Sequence, residues 1–214
     1  MELTESRILG ILQNYNLITE NGHFVGTSGM HLSTHVHSKR LLSFPDFVVD
    51  FAEELANRFA SHDINVVVGP MTGGMVLASH VAHHLNLIWP RHTTQAVRAF
   101  YSECNEKALL KGRQFILNKI FREEVRGKNT LLVDDTVTTG GSLCSTRDDV
   151  VFLGGYVVGI GVIVNAGRAT NKTMGVDIFK SLLNLDRRIM TPEECAKTGP
   201  CSRGIPINTE FGHG

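Results

Sequence analysis

A chain of 214 residues suits one domain rather than two full ones, and with 42% apolar and 20% charged residues it has material for a large core and no compositional case for disorder. Lys plus Arg and Asp plus Glu each number 21, so the net charge of zero argues against a protein that wraps nucleic acid or an anionic membrane. Four scattered cysteines (Cys104, Cys144, Cys195, Cys201) make no disulfide framework and point to a reducing, cytoplasmic setting.

The N-terminus, MELTESRILGILQNYNLI, puts acids before its apolar residues and has no basic-then-apolar targeting layout. Residues 3–14 carry a helical spacing that Asn14 to Asn16 end. Residues 23–42 alternate loosely and predict a small hairpin outside the main sheet. The strongest helical signal runs over 45–61, where Phe47, Val48, Phe51, Ala52, Leu55 and Phe59 recur at three- and four-residue steps behind Pro45. Two similar units follow. Ile64–Val68 leads into Gly-Pro-Met-Thr-Gly-Gly and a helix over 75–85. Thr130–Val133 leads into Asp-Asp-Thr-Val-Thr-Thr-Gly-Gly-Ser and a helix over 143–153, stopped by Gly154-Gly155. Tyr156–Val164 reads as a buried strand; its apolar run, from Val150 on, is too short and too rich in Gly to cross a membrane. Leu87–Trp89, Gln95–Tyr101 and Gln114–Asn118 are plausible further strands, and the tail from Thr191 is polar and rich in Pro and Gly. Unalternating Val and Ile runs, separated by Gly-rich turns and helices, predict an α/β fold: an open, mostly parallel sheet flanked by helices. The expected plan is one domain over 1–214, with the hood hairpin at about 19–44, the core at about 45–190 and the tail at about 191–214.

The chemistry concentrates at 131–142. An apolar strand ends in Asp134 and Asp135, followed by hydroxyls and glycines and then a helix start. Ligands of open α/β sheets bind beyond the carboxyl ends of strands. Thr138, Thr139, Gly140, Gly141 and Ser142 would present backbone N–H groups, hydroxyls and a helix N-terminus to one phosphate. Adjacent strand residues point to opposite faces, so the two acids converge on a ribose diol or a hydrated Mg²⁺ only if the chain turns there. The spacing matches neither the Walker loop nor the dinucleotide fingerprint.

The segment VDDTVTTGGS resembles the phosphoribosyl-diphosphate signature of type I phosphoribosyltransferases, and the whole chain is similar to the orotate group of that family. His23 to His31, with its Phe-x-x-x-Ser-Gly pattern, resembles the group's hood, and Gly204 to Gly214 its C-terminus in a branch common in prokaryotes. The resemblance implies attack by a nucleobase on phosphoribosyl diphosphate, loss of pyrophosphate, and a Mg²⁺ bound mainly through substrate rather than by protein ligands. It implies that Asp134 and Asp135 hold the ribose hydroxyls, 138–142 the 5′-phosphate, and Thr72, Gly73 and Gly74 the pyrophosphate. Lys107 and Lys111 would be catalytic on a basic closing loop, with Arg113 and Arg98 binding substrate. Thr27 and Ser28 would lie in the hood; Thr27 stands where the orotate group usually has Lys, and Ser102 to Asn105 where Lys or Arg near an acid is common. Arg168 is the remaining candidate for the base pocket. A homodimer is the family's usual state. Another base, purine or modified pyrimidine, and a non-catalytic sensor of the donor remain open.

His31, His35 and His37 on the hairpin and His80, His83 and His84 on one helix lack the acid of a zinc-protease pattern. Cys195 and Cys201, as one pair, do not fill a tetrahedral site. The expectation is therefore no protein-ligated transition metal. Cys144 and Trp89 read as packing residues.

Overall fold

A computed structural model of the protein describes residues 3–26, 29–89, 96–105, 114–185 and 189–210. Helix α1 (Glu5–Asn14) starts at Thr4, whose hydroxyl accepts the Arg7 N–H, and buries Ile8 and Leu12. Four short strands follow, β1 (Ile18–Thr19), β2 (Phe24–Val25), β3 (His31–Leu32) and β4 (His35–Val36), then the single turn α2 (Ser38–Leu41). Helix α3 (Pro45–Phe59) has Pro45 in its first turn, where no N–H is required, and buries Val48, Phe51, Ala52, Leu55, Ala56 and Phe59. Next come β5 (Val66–Pro70), α4 (Gly73–Ile88), β6 (Arg98–Cys104), β7 (Phe115–Leu117), α5 (Arg122–Val125), β8 (Asn129–Val137) and α6 (Gly141–Phe152). The chain continues through β9 (Tyr156–Asn165), α7 (Asn171–Met174), β10 (Phe179–Asn184), β11 (Ile189–Met190) and α8 (Pro192–Thr198).

Six strands form the main sheet in the order β10-β9-β8-β5-β6-β7, all parallel except β7, which runs antiparallel along β6. The unbroken Val, Leu and Ile runs are explained by cover on both faces. Val67, Leu131, Val133 and Ile163 share one core with Leu12, Phe51, Leu55, Phe59, Leu77 and Val81 of α1, α3 and α4. Val66, Val68, Leu132, Ile160 and Val162 share the other with Leu143 and Val150 of α6. From β5 the chain winds outward through α4 to β6; from β8 it winds the opposite way through α6 to β9. The winding reverses between β5 and β8, so the loops leaving their carboxyl ends part to opposite faces and open a crevice.

Three expectations change. Leu87 and Ile88 finish α4 and Trp89 caps it, with the indole N–H donating to the Ala60 carbonyl at 3.1 Å. Three apolar residues carry no period of their own, and the helix before them simply runs on. Strand β8 extends to Val137 rather than ending at Val133. The hood is more than one hairpin: β2 pairs with β3, β4 pairs with β1, and β11 joins β3 from the far end of the chain. The main sheet thus ends at Asn184, and residues from 189 belong with the hood. Within the tail, Thr191 and Glu194 form a reciprocal capping box at the start of α8.

Candidate functional site

A cavity of about 390 Å³ lies beyond the carboxyl end of β8, lined by Asp134, Thr136 and every residue from Val137 to Leu143, with Gln114 and Phe115 opposite. Its floor is the start of α6. The cap residue Gly140 has φ of 81°, and a Cβ there would stand 2.6 Å from the Met174 sulfur, so only glycine fits. No side chain caps this helix, which leaves its first N–H groups and the positive end of its dipole to a ligand. Thr138, Thr139 and Ser142 add hydroxyls. This is a cup for a phosphate monoester.

The two acids do not converge through a turn. Strand β8 continues past them, so Asp134 lines the cavity with Thr136, while Asp135 packs its carboxylate against the backbone of Gly73. Asp134 accepts the Asp135 N–H at 3.0 Å, and Asp135 accepts the Thr136 N–H. Burial, and then the charge of Asp135, holds the Asp134 carboxyl well above the usual carboxylate range. Burial likewise pushes Asp135 up to about 6, against the Thr136 N–H that favours the anion. Two adjacent, water-poor carboxylates that resist ionising together are poised to meet hydroxyl donors or a cation.

The second Gly-rich turn lies against the first. A Cβ on Gly73 would strike the Asp135 carboxylate, and one on Gly74 would stand 2.7 Å from the Val133 carbonyl, so this loop can lie flush on β8 only as glycine. Thr72 is exposed at the start of α4, which again has no side-chain cap. The Met71–Thr72 peptide is cis, and the Met71 N–H donates to the Ser102 carbonyl at 2.9 Å. Two uncapped helix starts therefore flank the paired acids.

Other candidates separate. Arg98 opens β6, and β6 runs parallel to β5 with Arg98 opposite Val66, so its Cα lies at the end of the sheet away from the cavity. It pairs there with Glu124 and stacks on Phe100, which removes it from the substrate-binding set. Arg168 follows β9 with φ of 62°, exposed, on the loop whose Gly167 presses on the Thr138 backbone. Thr27, Ser28, Lys107, Lys111 and Arg113 lie outside the described residues. Asn105 and Gln114, on either side of the basic segment, are joined by an N–H···O bond of 2.8 Å, and Gln114 lines the cavity.

A second cavity of about 190 Å³ lies under the hood, between Gly26, Leu32, Thr34, His35 and Ser38 on one side and Thr136, Thr138 and Ala166 on the other. Thr136 and Thr138 line both cavities, so the two adjoin. The Thr34 hydroxyl is buried with no hydrogen-bond partner among the described residues, and Ser38 donates to Thr136 at 3.1 Å.

Sequence reasoning missed the polar face of α6. Ser145, Thr146 and Asp149 are buried. Ser145 and Asp149 accept the N–H groups of Phe115 and Leu117 at 2.7 and 2.8 Å, and Thr146 meets Ser102 at 2.6 Å. These bonds fasten the edge strand β7, and through Ser102 its neighbour β6, to the helix whose first turn makes the phosphate cup. The signal, a helix with hydroxyls and an acid where its inner stripe should be apolar, was present in SLCSTRDDV. Also missed was the meeting of His23, His31, Cys195 and Cys201, whose ligating atoms all lie within 4.8 Å of one another. The Cys144 thiol is raised by burial, as a packing residue requires.

An open parallel sheet with a phosphate cup and paired acids at its winding reversal defines a protein that binds a phosphorylated sugar. Residues 37–183 match the family model described as a phosphoribosyl transferase domain, and the chain belongs to that family. It is 32% identical over 206 residues to the orotate phosphoribosyltransferase of Caldanaerobacter subterraneus, covering 96% of each chain. It is 34% identical over 197 residues to that of Thermotoga maritima, covering 92% of each. Among solved structures, orotate phosphoribosyltransferase from Aeropyrum pernix shares the fold with a TM-score of 0.62 at 22% identity, over 92% of this chain and 98% of that one.

Proposed function

We propose that the protein transfers the 5-phosphoribosyl group from phosphoribosyl diphosphate to orotate and releases pyrophosphate. The observation that carries this reading is the pair of adjoining cavities that share Thr136 and Thr138, one a phosphate cup and the other a smaller slot beside the hood. The curated relatives at 32–34% identity over at least nine-tenths of this chain bear the orotate name.

In this reading the first turn of α6 binds the 5′-phosphate, and Asp134, the acid that lines the cavity, accepts hydrogen bonds from the ribose hydroxyls, while Asp135, turned to the other face against Gly73, backs the diphosphate loop. The turn from Gly69 to Gly74 offers N–H groups to the diphosphate, and the base lies under the hood. A ring nitrogen of the base attacks the anomeric carbon as the bond to the diphosphate oxygen breaks. Positive charge spreads over the ribose next to the Asp134 carboxylate, and negative charge grows on the leaving group. The protein orients the partners and excludes water; it forms no covalent bond. The hard carboxylate oxygens of Asp134, whose buried charge a cation would offset, would suit a Mg²⁺ delivered on the diphosphate, and that ion would offset the charge of the leaving group. Lys107, Lys111 and Arg113 would supply cations at the same place. A homodimer and a cytoplasmic setting complete the proposal; four free cysteines suit the latter, and no described helix is long and apolar enough to cross a membrane.

The test is pyrophosphate release from phosphoribosyl diphosphate and Mg²⁺ with a panel of bases. Product with orotate and not with purines is expected. Product with a purine alone would assign another acceptor, and tight donor binding with no product from any base would make the chain a sensor.

A further inference from the structure

The cluster outside the reaction cavity asks for its own explanation. His23 and His31 come from strands β2 and β3 or their edges, and Cys195 and Cys201 from α8 and the turn after it, so four donors from opposite ends of the chain meet at one point. His23, His31 and Cys195 are at most 8% exposed. The Cys201 sulfur lies 3.5 Å from His23 Nε2 and 3.5 Å from His31 Nδ1, and the Cys195 sulfur lies 3.8 Å from His23 Nε2. A tetrahedral ion bound at about 2.3 Å to sulfur and about 2.0–2.1 Å to nitrogen has S···N edges of about 3.5–3.6 Å. The observed separations lie on or near those edges. The two imidazole nitrogens, 2.7 Å apart, are the exception and would open by about 0.6 Å to reach an N···N edge of about 3.3 Å.

The surroundings are those of metal ligands. His23 Nδ1 donates to the Ile205 carbonyl at 2.7 Å, which fixes the tautomer and turns the Nε2 lone pair into the cluster. The Cys201 N–H points to the Cys195 sulfur at 3.3 Å, a backbone contact that orients this sulfur. The apolar core gives this region little: α8 buries Cys195 alone, and the following turn (Cys201–Arg203) buries nothing. Thiols are weak hydrogen-bond partners, so without an ion this clasp between tail and hood would rest on β11, two residues long, and on the bonds of His23 with Ile205 and Asn208.

We propose that His23 Nε2, His31 Nδ1 and the sulfurs of Cys195 and Cys201 form a structural zinc site that clamps the C-terminal segment onto the hood. Two thiolates balance the charge of Zn²⁺, so the buried centre is neutral. Binding releases two protons, one from each thiol, while the His31 proton moves to Nε2. All four positions are filled by protein, which makes the ion structural rather than catalytic. The ion would hold β2 and β3, the strands on either side of Thr27 and Ser28.

The experiment uses the full chain purified without chelator and needs no turnover, so it stands or falls separately from the proposed reaction. Elemental analysis is expected to find about one zinc per chain, released by a thiol-specific mercurial. Apoprotein titrated with Co²⁺ should take up one equivalent, with the intense visible bands of tetrahedral cobalt and a thiolate charge-transfer band. Cys201→Ser should lose about half of that charge-transfer intensity, one thiolate of two. Should that variant fold poorly, the cobalt spectrum of the unaltered chain decides. A wild-type protein that carries no zinc and gives no cobalt bands overturns the site, whether its two thiols are free or joined in a disulfide.

Discussion

Replacing Asp135 by Asn is expected to stabilise the protein at neutral and alkaline pH and to leave its hold on the donor, because this carboxylate lies against Gly73 and does not line the cavity. Asn keeps an oxygen for the Thr136 N–H and removes a charge that burial opposes. With its carboxyl raised to about 6 in the fold, against 3.8 in the unfolded chain, the native state holds this proton more tightly than the unfolded state does. Stability linked to Asp135 is therefore fully present below pH about 4 and is lost as pH rises through about 6. Above that range the penalty is on the order of 2–3 kcal/mol, and the Asn variant should regain it, raising Tm by about 5–10 °C at pH about 8 for a chain of this size. The gain should shrink steadily toward pH about 4. Melting curves from acid to mildly alkaline pH, with and without phosphoribosyl diphosphate and Mg²⁺, read both effects: the variant gains heat resistance and keeps the ligand-induced shift. If it melts at or below the wild type at pH about 8, or if both proteins share one pH slope, the account of these carboxylates is wrong.

Further outcomes follow from the same geometry. Gly140→Ala places a Cβ against the Met174 sulfur at a φ of 81°, so calorimetry should find donor affinity lost and melting should find stability reduced by about 1–2 kcal/mol. Asp149→Ala leaves the Leu117 N–H buried and unpaired and should cost about 1–3 kcal/mol, with a lower kcat because β7 flanks the basic segment. Arg98→Ala removes a surface pair far from the cavity; stability should stay within about 1 kcal/mol and steady-state constants should not change.

The layered α/β plan was legible because buried parallel strands leave unalternating Val and Ile runs between Gly-rich turns, and β5, β8 and β9 all do. The cup at 138–142 was legible for a similar reason: glycine and hydroxyls at a strand–helix junction carry a local geometric demand. Non-local placement was not legible. Arg98 looked suited to an anion site by charge, yet register opposite Val66 sets its Cα at the wrong end of the sheet. Neither the pairing of β11 with β3 nor the approach of Cys195 and Cys201 to His23 and His31 leaves a trace in spacing, because about 170 residues separate the partners. The buried acids were recognised, but their separation onto two faces depended on β8 continuing straight through them.

The hood borrows strands from both ends of the polypeptide, whereas the phosphate cup and the paired acids belong to the sheet between them. In the proposed reaction, acceptor choice and donor grip would thus be written in different stretches of chain that meet along a seam at Thr136 and Thr138. Change in the outer stretches can retune which ring is admitted while the sugar-phosphate grip stays intact, a division of labour that lets one scaffold serve many acceptors.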